Sequence, residues 1–275
     1  MDHHLVQLDP DHPGFRDSVY RQRRDTIATI AREHRSGDPV PLAPYSEEEH
    51  AVWRQIQQRL TPLHDQLVSR ELVALARALD LPTERIPQLA EVNERLQAAG
   101  GFRMEPVGGL VDARIFLEHL GRGVFLSTQY IRHASKPFYT PEPDVVHELV
   151  GHAASLMHPG VRATSRRFGR AAAEATDAEV ERLTRVYWYT LEFGVVEEEG
   201  ELRAIGAGLL SSVGELQRAT RDLEVPHPPL SLPVTVARPY DPTQYQPVYD
   251  VGPGLDGTLA ALDAWLDAGA WRLPA

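Results

Sequence analysis

Helix-start patterns recur along this chain, whereas patterns typical of strands are few and short. Ser46 is followed three residues later by Glu49, and Thr176 by Glu179, which is the spacing of a capping box at a helix N-terminus. Apolar residues at helical spacing follow both boxes and predict further helices over residues 67–79, 89–96 and 258–266. Strand patterns are confined to residues 124–126, 202–205 and 234–236. The sequence therefore predicts a mainly α fold, a single domain with a few short strands.

Two segments stand apart from these patterns. Residues 1–45 are polar and are expected to form an N-terminal extension that precedes a main domain of residues 46–275. The basic run at residues 21–24 is expected to be a solvated helix face. Eight prolines between Pro226 and Pro253 predict that this stretch is mostly irregular.

Composition excludes several classes of protein. The formal net charge of −11 argues against a nucleic-acid partner, which requires clustered Lys and Arg. The chain has no cysteine, so it can form neither disulfides nor thiolate metal sites, and any metal must be held by His and carboxylate. Neither a signal peptide nor an apolar run of membrane-spanning length is present, which favours a cytoplasmic protein that does not enter a membrane.

A possible metal site follows two prolines. Pro141 and Pro143 disfavour helix before Asp144, so a helix is expected to start there and to carry His147 and His152. Five residues separate the histidines, about 140° on an ideal helix, so their rings converge only if the helix is distorted. Zinc proteases use a spacing that is one residue shorter.

Glu192 is the third candidate ligand, since a carboxylate among aromatic residues is costly to bury unless it is paired or binds a metal. Two histidines and one carboxylate form a facial triad, which leaves one side of a divalent metal open. The residues alone leave alternatives: two helix histidines with ordinary hydrogen bonds, and a salt-bridged or exposed Glu192.

Several sequence blocks, taken together and in order, are similar to those of the pterin-dependent aromatic amino acid hydroxylases. The blocks are RIPQL (residues 85–89), GFR (101–103), PVGGL (106–110), TQYIRH (128–133), YTPEPD (139–144), HELVGH (147–152), YW (187–188), EFG (192–194), GAGLLSS (206–212) and GEL (214–216). The resemblance runs from about residue 45 to residue 268. It is closest to the phenylalanine hydroxylases of bacterial type, which consist of a catalytic domain alone.

The resemblance implies a mainly helical catalytic domain over residues 46–275 with a mononuclear Fe(II), a tetrahydropterin co-substrate and O2. It makes His147, His152 and Glu192 the iron ligands. It also implies an amino acid as the small-molecule substrate.

The same resemblance assigns further roles one by one. On the pterin side it places Phe116 against the ring, with the backbone of Gly109, Leu110 and Val111 and the carboxylate of Glu148 beside it. Each also has an ordinary interpretation, such as a core phenylalanine or a solvated helix carboxylate.

On the substrate side, Arg132 resembles the residue that binds the substrate carboxylate, and a bidentate pair suits that task. A structural salt bridge is the alternative for Arg132. Thr140 and Ser211 resemble partners of the amino acid backbone or of a ligand histidine. Tyr187 is expected to line the iron cavity as a catalytic residue, and Phe193 to contact the substrate ring.

Three positions bear on the substrate. Trp188 stands where the phenylalanine and tyrosine enzymes carry tryptophan, which favours a single-ring substrate, and Leu126 occupies a position that is often polar in the animal enzymes. Pro242 falls where an aspartate favours tyrosine, although Asp241 is adjacent and could reach that place by a one-residue slip. We therefore expect an aromatic amino acid monooxygenase that converts phenylalanine to tyrosine.

Alternatives remain open at this point: meta-hydroxylation, a tyrosine or tryptophan substrate, a zinc hydrolase with Glu148 as general base, and an inactive binding protein. The chain shows neither a long N-terminal regulatory domain nor an extended heptad helix after Trp271. We expect a monomer or a weak dimer.

Overall fold

Helices make up most of the protein, in the computed structural model that describes residues 8–138, 140 and 142–273. The α-helices are α1 (Ser18–Glu33), α2 (Glu47–Leu67), α3 (Arg70–Leu79), α4 (Leu89–Gly100), α5 (Ala113–Gly121), α6 (Ala154–Leu156), α7 (Pro159–Glu174), α8 (Asp177–Tyr187), α9 (Ala207–Leu210), α10 (Val213–Arg221), α11 (Leu232–Thr235) and α12 (Leu255–Asp267). Two π-helices, His147–Ala153 and Trp188–Glu192, interrupt this series. The mainly α fold predicted from the sequence is confirmed.

Both predicted capping boxes are present. The Ser46 hydroxyl accepts the Glu49 N–H at the start of α2, and the Glu49 carboxylate accepts the Ser46 N–H in return. Thr176 and Glu179 make the equivalent box at the start of α8. Each box satisfies N–H groups that the first helical turn cannot pair within the helix.

Helices α5 and α7 pack closely because glycines face each other where they cross. A Cβ on Gly169 would lie 2.1 Å from the backbone nitrogen of Gly121. Backbone therefore contacts backbone at this crossing, and α5, which carries Phe116, is held against the centre of the fold.

The strands form two small sheets that flank the centre of the molecule. The first pairs β1 (Arg103–Pro106) with β2 (Val124–Ser127) in parallel, and the second orders β4 (Glu201–Ala204), β3 (Val195–Glu198) and β5 (Val251–Gly252) side by side. β3 and β4 are antiparallel, and β3 and β5 are parallel. β2 leads into the segment after residue 127, and β3 begins just after Glu192, so both sheets fix backbone next to candidate site residues.

The strand predictions were confirmed in two places and wrong in a third. Residues 124–126 lie in β2 and residues 202–205 overlap β4, whereas residues 234–236 belong to α11 and its C-terminal end. Pro233 lies in the first turn of α11, where its missing N–H costs nothing, and the backbone N–H of Thr235 donates to the Ser231 carbonyl at 2.8 Å. Apart from α11 and β5, the proline-rich stretch is irregular, as predicted.

The basic run at residues 21–24 was predicted to be a solvated helix face, and for Arg24 this is wrong. Its guanidinium is buried in α1, 2.8 Å from the Glu142 carboxylate and 3.2 Å from the centroid of the Tyr130 ring. The Tyr20 hydroxyl, also on α1, donates to the Ile131 carbonyl. Helix α1 thus packs on the segment around residues 130–142 rather than standing free of it.

No helix in the part of the chain that the structure describes is both long enough and apolar enough to cross a bilayer.

Candidate active site

The first π-helix resolves the awkward spacing of the two histidines. In a π-helix the backbone hydrogen bond joins residues five apart, so side chains at that spacing point in more similar directions than they do on an α-helix. His147 and His152 are five residues apart within His147–Ala153, and their Nε2 atoms lie 3.0 Å from each other. The distortion that convergence requires is therefore built into the backbone.

The start of this helical segment follows the prediction in part. Helical backbone begins at residue 145, and the Asp144 carboxylate accepts the His147 N–H at 3.2 Å, which caps the segment. Pro143 lies just outside the helix, whereas Pro141 is outside the described residues.

Gly151 lets this π-helix approach α9. A Cβ at Gly151 would lie 2.4 Å from the carbonyl oxygen of Ala207, closer than real Cβ contacts come. The absence of a side chain between the two ligand histidines thus brings α9, and Ser211 at its C-terminal end, against them.

Glu192, the last residue of the second π-helix, completes the triad. Its Oε1 lies 2.9 Å from His152 Nε2 and its Oε2 lies 3.6 Å from His147 Nε2. A metal about 2.1 Å from each of three donors at right angles would separate those donors by about 3.0 Å. The two Nε2 atoms and Glu192 Oε1 give two separations that match this value, whereas the nearest Glu192 oxygen to His147 Nε2 is Oε2, at the wider 3.6 Å. The three side chains are therefore candidates for one face of a metal site.

Ser211 sets the tautomer of His147. The Ser211 Oγ lies 3.1 Å from the carbonyl oxygens of both Ala207 and Gly208, so its proton is donated to that pair. Its lone pair then accepts the Nδ1–H of His147, 3.1 Å away. His147 Nε2 is left without a proton and can ligate a metal, an arrangement in which a neighbour orients the ligand ring.

The charges of His147 and Glu192 suit metal ligands, whereas His152, whose pKa is raised, has to give up a proton to bind a metal. Burial, together with His152, lowers the pKa of His147 to about 4, so its ring is neutral. Burial works against the other two shifts, yet the Glu192 carboxylate raises the pKa of His152 and His152 lowers the pKa of Glu192. A neutral imidazole and an ionised carboxylate are the protonation states in which these groups bind metals.

Glu148 is a second carboxylate near the histidines, within 4.8 Å of their ring nitrogens. Its Oε1 accepts both the N–H and the hydroxyl of Thr128, at 3.2 and 2.9 Å. Burial raises the pKa of Glu148 to about 7. Glu148 already accepts two hydrogen bonds from Thr128, whereas Glu192 approaches the Nε2 atoms of both histidines. Glu192 is therefore the better candidate ligand.

A cavity of about 460 Å³ opens beside the triad. The cavity is lined by every residue for which a site role was predicted from the sequence: Gly109, Leu110, Val111, Phe116, Arg132, Thr140, His147, Glu148, His152, Tyr187, Trp188, Glu192, Phe193 and Ser211. Leu126 and Pro242 line it as well, whereas Asp241 is exposed and its carboxylate accepts from Thr243.

Aromatic rings hold one another in place along the cavity. Phe116 meets Phe125 and Tyr187 edge to face, with centroids 5.3 and 5.9 Å apart. The Trp188 indole contacts Tyr240, 4.3 Å away and nearly parallel, and Phe193, 4.7 Å away and tilted. Such contacts fix ring orientations beyond what apolar burial alone provides.

Arg132 already has a carboxylate partner within the protein. Its Nε and Nη2 donate to the two oxygens of Asp144 at 2.8 and 2.7 Å, and both side chains are buried. The salt bridge considered from the sequence is therefore present. Among the described residues Nη1 has no hydrogen-bond partner, so one nitrogen of the guanidinium remains for a ligand in the cavity.

Thr140 turns its hydroxyl to the chain rather than to the cavity. Its Oγ1 donates to the Glu142 carbonyl at 2.7 Å, which stabilises the loop that carries Glu142. Ser211, by contrast, contacts a ligand histidine, one of the two roles considered for this pair.

No role was predicted from the sequence for Thr128, Glu215 or Gln246. Thr128 and Glu215 lie in blocks that carry the resemblance, so a signal existed for both. Gln246 lies in the proline-rich stretch, where no periodicity indicates what a side chain contacts.

Glu71, His158 and Asp256 also lie close enough together to suggest a metal site. The His158 Nδ1 accepts the Val161 N–H at 3.2 Å, so the proton of the neutral ring resides on Nε2, which donates to Glu71. This group caps α7 and pairs with a carboxylate, and its ring nitrogens are both engaged.

The family model of the biopterin-dependent aromatic amino acid hydroxylases matches residues 2–268. The chain belongs to this family. Its members are iron-dependent monooxygenases of aromatic amino acids, so the predicted family is confirmed and the predicted enzyme class is that of the family.

Individual relatives differ in substrate. The chain is 45% identical over 259 residues to tyrosine 3-monooxygenase of Rattus norvegicus, covering 90% of this chain and 52% of that protein. It is 43% identical over 250 residues to phenylalanine-4-hydroxylase of Rattus norvegicus, covering 90% and 55%. The chain spans about half the length of the curated relatives it matches.

A solved structure matches almost end to end. Phenylalanine hydroxylase of Chromobacterium violaceum, with bound oxidised Fe(III), superposes with a TM-score of 0.82 at 28% identity, covering 92% of this chain and 91% of that one.

Proposed function

We propose that this protein is an Fe(II)- and tetrahydropterin-dependent monooxygenase that hydroxylates the ring of L-phenylalanine, yielding L-tyrosine. The observation that carries the proposal is the convergence of His147, His152 and Glu192 beside a cavity lined by aromatic side chains. This donor set, two imidazoles and one carboxylate on one face, fits Fe(II) and leaves coordination positions open towards the cavity.

Activation of O2 requires a metal and a pterin, because side chains alone do not provide this chemistry. Iron bound by the triad, with a tetrahydropterin as electron donor, would provide activation of O2. The residues of the chain bind and orient the pterin and the amino acid, and they shield the site from water. Phe116 and the loop at residues 109–111 offer an aromatic edge and backbone groups for the pterin, and Glu148 a carboxyl group that Thr128 holds in place.

On the other side of the cavity, we assign the amino acid. Arg132 lines the cavity and its partner Asp144 fixes the guanidinium plane, so its remaining nitrogen, Nη1, can receive the substrate carboxylate in a set orientation. Trp188 and Phe193 would contact the substrate ring, and Tyr187, whose hydroxyl pKa burial raises well above its ordinary value, stays neutral beside it.

Phenylalanine is favoured over tyrosine by the loop at residues 241–242. The apolar Pro242 lines the cavity, while the Asp241 carboxylate is exposed and bound to Thr243. A one-residue slip that would bring this carboxylate into the cavity is therefore absent from the structure. A phenol hydroxyl would gain no partner from Asp241.

The test is direct. The protein is loaded with Fe(II) without oxygen, then given O2 and a tetrahydropterin with phenylalanine, tyrosine or tryptophan in separate reactions. Tyrosine formed from phenylalanine in step with pterin oxidation is expected. Meta-tyrosine, or hydroxylation of only tyrosine or tryptophan, would support the close alternatives, and oxygen-independent activity with zinc would support a hydrolase.

Variants locate the reaction. His147→Ala and Glu192→Ala should each abolish hydroxylation while the protein remains folded, whereas His119→Ala, on α5 away from the cavity lining, should not. Full turnover by either ligand variant would refute the site. A cytoplasmic location and a monomer or weak dimer stay predictions, the latter open to sedimentation analysis.

A further inference from the structure

We propose that Gln246 is a positioning residue that fixes the Trp188 indole as a rigid wall of the substrate cavity, and thereby restricts the cavity to amino acids with a single ring. The proposal rests on the proposed hydroxylase function and deepens it, because it names what sets the substrate class. Gln246 is buried, with 1% of its surface exposed, and is absent from the cavity lining, so it would act through Trp188.

The orientation of the Gln246 amide is determined by its two neighbours. Its Oε1 accepts the indole N–H of Trp188 at 2.8 Å, and its Nε2 donates to the Gln244 carbonyl at 3.0 Å. An indole nitrogen can only donate and a carbonyl oxygen can only accept, so the reversed amide would lose both bonds. The carbonyl of Gln246 therefore points at Trp188 in one defined direction.

Glu215 anchors the loop from which Gln246 projects. Its Oε1, on α10, accepts the backbone N–H of Gln246 at 2.8 Å and the hydroxyl of the buried Tyr249 at 3.1 Å. The acceptor for Trp188 is thus tied to a helix rather than to a free loop. This matters because the surrounding stretch is mostly irregular.

The indole has little freedom once these contacts are made. Tyr240 lies nearly parallel to Trp188 at 4.3 Å, and Phe193 is tilted against the indole at 4.7 Å. The hydrogen bond from the indole N–H to Gln246 adds a third, directional contact. Trp188 and Phe193 both line the cavity beside the triad. A fixed indole leaves a gap of constant width, whereas a mobile one could move aside for a two-ring substrate.

The experiment compares the selectivity for phenylalanine over tryptophan, measured as the ratio of the two kcat/KM values. Gln246→Met keeps the side-chain length and removes the strong acceptor. The ratio should fall on the order of fivefold, since one hydrogen bond to the indole is lost. Gln217→Met is the matched control, because Gln217 lies on α10 outside the cavity lining and should leave the ratio unchanged.

A double-mutant cycle tests whether Gln246 acts through the indole N–H. In a Trp188→Phe background that N–H is absent, so Gln246→Met should then have no further effect on the ratio. An unchanged ratio in the wild-type background, or an equal fall in both backgrounds, would overturn the proposal. If Gln246→Met does not fold, Gln246→Asn, which withdraws the acceptor by one methylene, carries the same expectations.

Tryptophan fluorescence tests whether Gln246 holds Trp188 in place, independently of whether the proposed hydroxylase function is correct. The emission of Trp188, obtained by difference from the Trp188→Phe protein, should shift to longer wavelength in Gln246→Met, because the indole gains mobility and water. An unchanged emission would contradict the positioning role. If the wild-type protein hydroxylates nothing, the proposed function fails, while the fluorescence result still decides whether Gln246 holds Trp188.

Discussion

Replacing Gly151 with alanine should push apart the two structural parts that assemble the triad. The new methyl group would lie 2.4 Å from the Ala207 carbonyl oxygen, whereas ordinary contact begins at 3.4 Å, so the π-helix and α9 must separate by about 1 Å. Backbone atoms form the obstacle, and no side-chain rotation relieves it. Metal sites tolerate ligand displacements of only about 0.2 Å.

We expect this shift to weaken Fe(II) binding by about 10- to 100-fold, the range seen when the support of a ligand is removed. We also expect a loss of about 1–3 kcal/mol in the free energy of unfolding, typical of an overpacked interior. Alanine alone would favour a helix over glycine by about 0.5–1 kcal/mol, so a net loss identifies the clash.

Anaerobic titration with Fe(II) against a competing chelator measures the affinity, and denaturant unfolding measures the stability. Gly257→Ala in α12 is the control. A Cβ at Gly257 would meet only the Pro253 side chain, at 3.0 Å, and Gly257 does not line the cavity beside the triad. Wild-type affinity and stability in Gly151→Ala would refute the idea that this glycine sets the geometry of the site.

Three further changes test separate parts of the structure. Ser211→Ala removes the acceptor of the His147 Nδ1–H and should weaken Fe(II) binding by about 10- to 100-fold in the same titration. Arg24→Met removes the arginine partner of the partly buried Glu142 and should cost about 3 kcal/mol in denaturant unfolding. Burial raises the pKa of Glu215 to about 7 from an ordinary 4.5, so ionising it opposes folding increasingly as pH rises between those values. Glu215→Gln should therefore gain stability over the wild type on going from pH 4.5 to pH 8, on the order of 3 kcal/mol.

Controls for these three changes use exposed residues of the same type. Ser135→Ala should bind Fe(II) as the wild type does. Arg122→Met, at an arginine that is 66% exposed, and Glu181→Gln, at a glutamate that is 63% exposed, should each change stability little. A pH-independent difference between Glu215→Gln and the wild type would contradict the buried-carboxyl interpretation. Unchanged values for Ser211→Ala or Arg24→Met would contradict the contacts assigned to them.

Much of the fold could be predicted because the signals are local. Ser46 and Thr176 each carry a capping pattern that depends on residues three positions away, and both helices start where that pattern places them. The strand predicted at residues 234–236 failed because Pro233 acts locally too, as a helix-starting residue. β-branched residues do not distinguish a single helical turn from a short strand.

The candidate ligands could be named from the sequence, whereas the backbone that brings them together could not. The five-residue spacing of His147 and His152 argued against convergence on an α-helix, and only the π-helix makes it possible. Helix periodicity assumes regular backbone, so it cannot reveal such a change of pitch. Gly151 was visible in the sequence, yet its contact is with residue 207, far along the chain.

Polar contacts between residues far apart in the chain could not be predicted from the sequence. Arg24 belongs to a basic run that resembles a solvated face, but its partner Glu142 is 118 residues away. Gln246 pairs with Trp188 across 58 residues from an irregular segment. No local pattern encodes either pairing, since both depend on how distant elements pack.

The most direct test of the central claim is the origin of the oxygen in the product. The Fe(II)-loaded protein is given phenylalanine, a tetrahydropterin and ¹⁸O₂, and the tyrosine is analysed by mass spectrometry. The account predicts tyrosine with one ¹⁸O in its hydroxyl group, formed in step with oxidised pterin and absent when Glu192 is replaced by alanine. Unlabelled tyrosine, or no hydroxylated product while the iron site is filled, would contradict it.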